Sequence, residues 1–570
     1  MPHRFEVDRR RFLGACASTA LASMMTPLAS TRLRAQPLKS DKLFQLGVAS
    51  GEPWPTSVVL WTRLAPDAND PQALGRDVVA VKWEVFEDEN RTKRVRHGVA
   101  YARPERAHSV HVEVMGLRPE REYWYRFLVE GAPPSPMGRT KTAPAWGSRT
   151  SKLNFAFCSC AEYEDDFYQA YHFIAEDRPD FVLHLGDYIY ERTYAATCDI
   201  ATRHCLHNEV RAEAHTLDQY RTKYANYKLD KALQRAHQAA PWIVTWDDHE
   251  VANDYAGIVS EDDRLRTPDR MQEFARRRAA AYQAYFENMP LRLASRPTPS
   301  GSMQLYRRLA FGDLLNLHVL DERQYRTDHA CQLDRDLRPA PKDAGWEGKG
   351  KGRLIRPEQC PELTDPRRTM LGGSQERWLE AGLRNSKARW DILAQGVIFA
   401  PLDQRQDPGL KDHAHEYIYT DSWSGYPRSR DRILRLFEAR SVRNPIVLSG
   451  DIHAFFANQL FRDSTTGKVP VGCEFVVGSI SSYIARNQQL VPVACGEENA
   501  KTVQYFNGAT KGYAVMELTR EAARVKFISA AAKGPEPAAW SRSTIGEFEV
   551  KDRSRRLSRP EPRVCIGPTG

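Results

Sequence analysis

The residues with chemistry to offer recur at one kind of place, just past an apolar run. Asn154–Cys158 is followed by Ser159 and Cys160, and Phe181–Leu185 breaks at Gly186 to deliver Asp187 and Tyr190. Trp242–Thr245 runs into Trp246-Asp247-Asp248-His249-Glu250-Val251-Ala252-Asn253, and Pro445–Leu448 into Gly450-Asp451-Ile452-His453. Taken singly, each has a structural explanation: an aspartate after a strand caps a helix, a buried cysteine is a small hydrophobe, a tyrosine packs. Their recurrence at equivalent positions predicts a binuclear or larger metal centre. Asp187 has two carboxylate oxygens and can bridge two cations. A thiolate and a phenolate favour a trivalent or soft ion, imidazole suits iron and zinc, and all-oxygen sites suit calcium, magnesium or manganese.

Such groups need a sheet to position them. Asn154–Glu191 reads as strand, helix, strand, with Phe167, Tyr171 and Ile174 spaced as one helix face requires. In open α/β sheets the ligand sits outside the carboxyl ends of the strands. Further strands are expected at Leu314–Leu320, which ends in Asp321-Glu322-Arg323-Gln324-Tyr325, and at Trp390–Leu393, Pro445–Leu448, Phe475–Val477 and Tyr513–Leu518. Helices are expected at Leu217–Tyr227, Lys231–Ala240, Met271–Asn288 and Arg432–Arg440, with another capped by Ser374 and carrying Trp378, Leu379 and Leu383. Upstream, Val58–Trp61, Val79–Phe86, Val110–Val114 and Tyr123–Phe127 are short strands between turn signals, as in a small β-sandwich. The expected division is an export signal over 1–35, a β-sandwich domain over 40–140, a catalytic domain over 152–535 and a charged tail over 536–570. His329–Thr369, rich in Pro, Gly and Lys, reads as a surface insertion.

The chain has 570 residues, 41% hydrophobic and 27% charged, as an ordinary globular protein has. The net charge of +9 is modest for this length, and no basic run is interleaved with aromatics, so no nucleic-acid-binding module is evident. There is no GxSxG, P-loop or Rossmann glycine pattern in a βα context, which leaves covalent serine chemistry and nucleotide cradling without support. Arg9 and Arg10 precede the apolar segment Gly14–Ser30 and resemble a twin-arginine export signal. That predicts passage through the twin-arginine export machinery, cleavage before Gln36 and a periplasmic or secreted product. No other stretch could cross a membrane. The cysteines suit an oxidising destination, with Cys198–Cys205, Cys331–Cys360 and Cys473–Cys495 as possible pairs whose connectivity the sequence leaves open. His204 and His207 beside Cys205 lack a second clean ligand pair, so this segment reads as a disulfide loop and not a zinc site.

Gly186-Asp187-x-x-Tyr190 resembles the motif by which purple acid phosphatases hold ferric iron. The segments LGVASGEPWPTSVVLWTRL, HLGDYIYE, TWDDHEVANDY, LDERQYR, DSWSGYP and LSGDIH closely resemble the alkaline phosphatase D (PhoD-like) family, in family order, from about Phe44 to about Leu518. The resemblance implies an α/β protein with a metallophosphoesterase-type β-sheet sandwich flanked by helices, preceded by a small β-sandwich. It implies a centre holding Fe3+ and Ca2+ that hydrolyses phosphate monoesters and diesters, the alternative being a dedicated phosphodiesterase or phospholipase D-type enzyme of the same fold. By position it implies Cys160, Asp187, Tyr190 and His453 on the iron side, and Asp187, Asp248 and Asp451 on the neighbouring cation side. Asp247 and Asn253 would complete the calcium coordination, and His249 would contact phosphate or donate a proton. Arg323, with Tyr325, either faces the phosphate or, as a surface residue, makes an ion pair. Cys158 stands where a small residue is expected and reads as an extra ligand or a disulfide partner. The implied mechanism is in-line attack by a metal-bound water that loses its proton near neutral pH, with the ions clamping the phosphoryl oxygens.

Overall fold

Phe181–Leu185 is buried on both faces along its whole length, so it reads as an unbroken apolar run instead of an alternating one. It pairs in parallel with Lys152–Cys158 on one side and Pro241–Thr245 on the other. These three strands form the centre of a ten-stranded sheet in a computed structural model that describes residues 38, 40–194, 198–200, 203–261, 267–331, 354–439, 442–485, 487–558 and 563–568. The expected export signal over 1–35 and the middle of the expected insertion lie outside the described residues.

A second, eight-stranded sheet is built around Leu315–Val319, Trp390–Ala394, Pro445–Ser449 and Pro470–Val476, parallel in that order. The two sheets face each other through Phe155, Phe157, Phe181, Leu183, Leu185 and Ile243 of the first and Leu315, Leu317, Ile392, Ala394, Ile446 and Leu448 of the second. Phe181 stacks on Phe155 at 4.6 Å and on Phe311 across the interface at 4.8 Å. Truncating such a ring to alanine costs about 3–5 kcal/mol.

Helices cover both outer faces. Gln169–Asp177, Leu217–Tyr227, Lys231–Ala239 and Pro268–Asn288 pack on Ala156, Cys158, Val182, Trp242 and Val244 of the first sheet. Gly372–Arg384 and Pro427–Glu438 pack on Leu393 and Val447 of the second. Local chemistry sets several helix starts: Thr216 and Gln219 form a capping box, Asp230 caps Leu233 N–H, and Thr267 precedes a proline at the first helical position. Ser374 is not a cap. It lies inside the first turn, and Thr369 Oγ1 accepts from Gly372 N–H at 2.9 Å.

Two expectations need correction, and the division near residue 140 is bridged by the large sheet. The boundary near residue 140 is crossed by hydrogen bonds: Val48–Trp54 pairs in parallel with Pro241–Thr245, and Ser57–Arg63 and Ser109–Met115 continue the large sheet. Only Val79–Phe86, Arg94–Ala102, Glu122–Leu128 and Gly138–Lys141 form a separate four-stranded sheet, which packs through Val81, Val85, Tyr125 and Phe127 on Val58, Leu60 and Val112. The expected tail contains Trp540–Lys551, a strand of the first sheet, and Val564–Ile566, an edge strand of the second. Trp540–Lys551 fully buries only Phe548 and Val550, which is why its sequence shows little pattern. Cys495 is bonded to Cys565, not to Cys473, which is a free thiol buried in a central strand; Cys198–Cys205 and Cys331–Cys360 are disulfides.

Candidate metal centre

The strand ends on one rim of the sandwich turn sharply, and the turns carry the donors. Gly186 sits at φ 109°, and a Cβ there would lie 2.5 Å from the Asp187-side neighbour Asp247 Cβ. Cys160, Asp187, Asp451 and His453 adopt φ between 55° and 65°, the left-handed region that side chains other than glycine rarely enter. Each such residue costs on the order of 1–3 kcal/mol unless its surroundings enforce it. Here they do. Cys160 N–H and Ala161 N–H donate to Gly186 O and Asp187 O at 3.2 and 2.8 Å, locking the first two strand ends together. Glu250 accepts from three backbone amides, those of Asp187 at 3.0 Å, Tyr188 at 2.7 Å and Asp247 at 2.9 Å.

The result is a pool of donors that share Asp187. Ligand atoms of Cys160, Asp187 and His453 lie within 4.8 Å of one another, as do those of Asp187, Asp248 and His249, and those of Asp187, Asp247, Asp248 and Asp451. The Tyr190 hydroxyl is 3.0 Å from His453 Nε2 and 3.3 Å from Asp187 Oδ2, and it accepts from Ser482 Oγ at 2.8 Å. Thiol, phenol, imidazole and one carboxylate therefore meet on one side of Asp187, and carboxylates, with the His249 imidazole beside them, on the other.

Electrostatics argue that this pool is built for cations. Two unit charges 4 Å apart interact by about 4 kcal/mol at an effective dielectric constant near 20, so unneutralised buried carboxylates cannot be left side by side. Burial, reinforced by Asp248, Asp247 and Glu250, holds the Asp187 carboxyl well above its usual range, although His249 opposes it. Burial pushes Asp247 up to about 6, with Arg323 pulling the other way. The Cys160 thiol and Tyr190 phenol are raised by burial and then by Asp187. A bound cation reverses that logic and favours the anionic ligands. Asp247 Oδ2 and Asp248 Oδ1 are buried and hydrogen-bonded to nothing among the described residues, as atoms reserved for an ion would be. The donor set thus fits one ion bound by sulfur, nitrogen and oxygen beside another bound by oxygen.

The Asn253 Nδ2 donates to Glu261 at 3.0 Å and its backbone N–H to Glu191 at 3.4 Å. Several residues fall elsewhere than expected. Arg323 is not at the surface; it is fully buried and bonds the site's acids. Its Nε donates to Asp247 and its Nη1 to Asp421 at 2.8 Å, while Nη2 lies 3.5 Å from Asp248 and 3.7 Å from Asp451. It neutralises carboxylates from behind, and its guanidinium is the largest force drawing Asp248 below its usual range against burial. Tyr325 points to Met303 O and the ring of Tyr306. Cys158 faces the helical layer in the apolar core, so it is neither ligand nor disulfide partner.

Sequence reasoning passed over Glu250, Asp421 and Glu191. Asp421 accepts from Arg323, Arg326 Nη2 at 2.6 Å and His329 Nε2 at 2.6 Å. Glu191 accepts from His249 Nδ1 at 2.7 Å. The available signal was position alone: each lies inside a motif already singled out, and Glu250 and Glu191 adjoin His249 and Tyr190, which had a role.

Stacked sheets between helical layers, with such donors pooled beyond the strand ends, define a two-sheet α/β protein with a candidate metal centre. The sequence model of the PhoD-like phosphatase matches residues 155–527, and that of the PhoD-like phosphatase N-terminal domain matches residues 29–144. The chain belongs to the PhoD-like phosphatase family. It is 41% identical to alkaline phosphatase D of Bacillus subtilis (strain 168) over 481 residues, 83% of this chain and 76% of that protein. The solved structure of PhoD superposes with a TM-score of 0.80 at 38% identity, covering 94% of this chain and 95% of that one.

Proposed function

We propose that this phosphatase is an exported, metal-dependent hydrolase of phosphate monoesters and diesters. Ferric iron would be held by Cys160, Asp187, Tyr190 and His453, and calcium by Asp187, Asp247, Asp248 and Asp451. The observation that carries this reading is the membership of Asp187 in all three donor groups. When bound, the ions would supply an acidified water and positive charge against the phosphoryl oxygens. The chain's own residues do the rest. Arg323 offsets the excess of carboxylates, and Glu250 holds the turns that bear Asp187 and Asp247. His249, whose Nδ1 lies 2.7 Å from the Glu191 carboxylate, is the group placed to pass a proton to the leaving oxygen. Export rests on Arg9 and Arg10 and on the disulfides, which suit an oxidising compartment.

Elemental analysis of protein purified from its native host should find iron and calcium in every active chain. A visible charge-transfer band should disappear in Tyr190→Phe; an active, colourless, iron-free protein would sink the assignment. Turnover of matched mono- and diesters should be measurable for both, and a diester-only profile would replace the proposal with a dedicated phosphodiesterase.

A further inference from the structure

His249 is held on three sides. Its Nδ1 lies 2.7 Å from Glu191 Oε2. The Tyr190 ring stacks on its face at 4.1 Å and 26°, and the Tyr194 ring meets it edge-on at 5.5 Å and 81°. Glu191 is itself fixed, for its Oε1 accepts from Tyr194 O–H at 3.0 Å and from Asn253 N–H at 3.4 Å. The carboxylate is 1% exposed, and among the described residues no lysine or arginine nitrogen lies closer to it than Arg192 Nε at 3.9 Å. A buried carboxylate with so little other compensation is costly unless its hydrogen bonds define something. What they define is which imidazole nitrogen is committed. Nδ1 carries its hydrogen toward Glu191, and Nε2 makes no hydrogen bond to a described residue.

We infer that Glu191 is a positioning residue for His249: by accepting from Nδ1–H it fixes the ring's orientation, so that Nε2, and not Nδ1, is directed to the ester. The inference rests on the proton-donor reading of His249. In the step it serves, a water oxygen forms a bond to phosphorus, the bond from phosphorus to the leaving oxygen breaks, and the Nε2 proton passes to that oxygen. Tyr194 acts one contact further out by holding Glu191.

A carboxylate in this position is replaced most cleanly by its isostere. Glu191→Gln keeps the volume, but its amide can donate to a bare Nδ1, so the ring protonated on both nitrogens loses the anionic acceptor that holds it. With the metal-loaded enzyme, Glu191→Gln should lower kcat for an alkyl phosphate about 10²-fold, with KM and metal content nearly unchanged. For 4-nitrophenyl phosphate, whose leaving group needs no proton, the loss should stay below about 3-fold. Glu191→Gln combined with His249→Ala should be no worse on the alkyl ester than His249→Ala alone. Tyr194→Phe should show the same substrate asymmetry in smaller measure. Equal losses on both substrates, or losses that add to those of His249→Ala, would overturn the inference and leave the proton-donor reading standing. A His249→Ala enzyme undiminished on the alkyl ester would overturn the proton-donor reading, and the inference with it.

Discussion

The two sheets meet at one rim but contribute unequally to it. The ends of the first sheet carry Cys160, Asp187, Tyr190, Asp247, Asp248 and His249, and the three aspartates are each 1% exposed. The second sheet brings the cation Arg323 from one strand end and Asp451 and His453 from another, and the Asp451 side chain is 25% exposed. Each half is braced by one buried glutamate. Glu250 takes backbone amides of the donors themselves. Glu474 takes the amides of Phe399 at 2.6 Å and Ala400 at 2.9 Å, Ser449 Oγ at 2.6 Å and Asn458 Nδ2 at 3.0 Å, all at least one step removed from a donor. The first sheet therefore sets the donor geometry. The second supplies charge balance and the accessible side, so substrate should approach past Asp451 and His453.

That asymmetry can be broken in four ways. Asp187→Asn should have the largest effect, at least about 10³-fold in phosphate release with loss of bound metal, because it removes the shared donor. His453→Gln on the second sheet should cost less and spare the oxygen-bound ion; equal metal loss in both would show the halves to be equivalent. Next, Arg323→Met leaves Asp247 buried without its cation, while Asp421 keeps Arg326. It should lower unfolding stability by about 3–5 kcal/mol, the usual result of removing one partner from a buried ion pair. Denaturant unfolding measures it, and added calcium should recover part of the loss.

Third, Glu250→Gln puts an amide N–H against backbone N–H groups. It should reduce metal occupancy and lower kcat about 10²-fold, which is about 2.7 kcal/mol. Glu474→Gln should destabilise the fold by about 1–3 kcal/mol while leaving occupancy near wild type. The reverse pattern would refute the division of labour.

The smallest effect concerns the first sheet's far face. His184 is fully buried against Tyr171 and Trp242, and burial, then Lys228, depress its pKa from 6.5 to about 3. Between those values the unfolded chain binds a proton that the folded chain does not. Stability contributed by the neutral ring is thus fully present above about pH 6.5 and is lost on acidification, by at most about 1.4 kcal/mol per pH unit. His184→Phe should flatten that part of the urea-unfolding profile between pH 7 and 5, and an unchanged slope would assign the acid sensitivity to other groups.

Much of this was legible in the chain because the relevant signals are local. Continuous apolar runs mark strands covered on both faces, and a polar group after the run marks a strand end, so the positions of Cys160, Asp187, Asp248 and Asp451 could be read directly. Helices with strong period and caps, such as Lys231–Ala239, could be read as well. Trp540–Lys551 could not, since an edge region that fully buries two side chains leaves almost no pattern.

The sequence by itself determined which groups could do chemistry and that they follow strands. Tertiary structure alone decided which of them meet. Asn253 and Asp254 are neighbours in the chain, yet Asn253 turns to Glu261 while Asp254 N–H donates to Asp248 at 2.6 Å. Arg323 reaches Asp421 across 98 positions, and Glu191 reaches His249 across 58. The physical reason is that strand order and left-handed backbone turns at Cys160, Asp187, Asp451 and His453 aim these side chains, and neither is written in residue spacing.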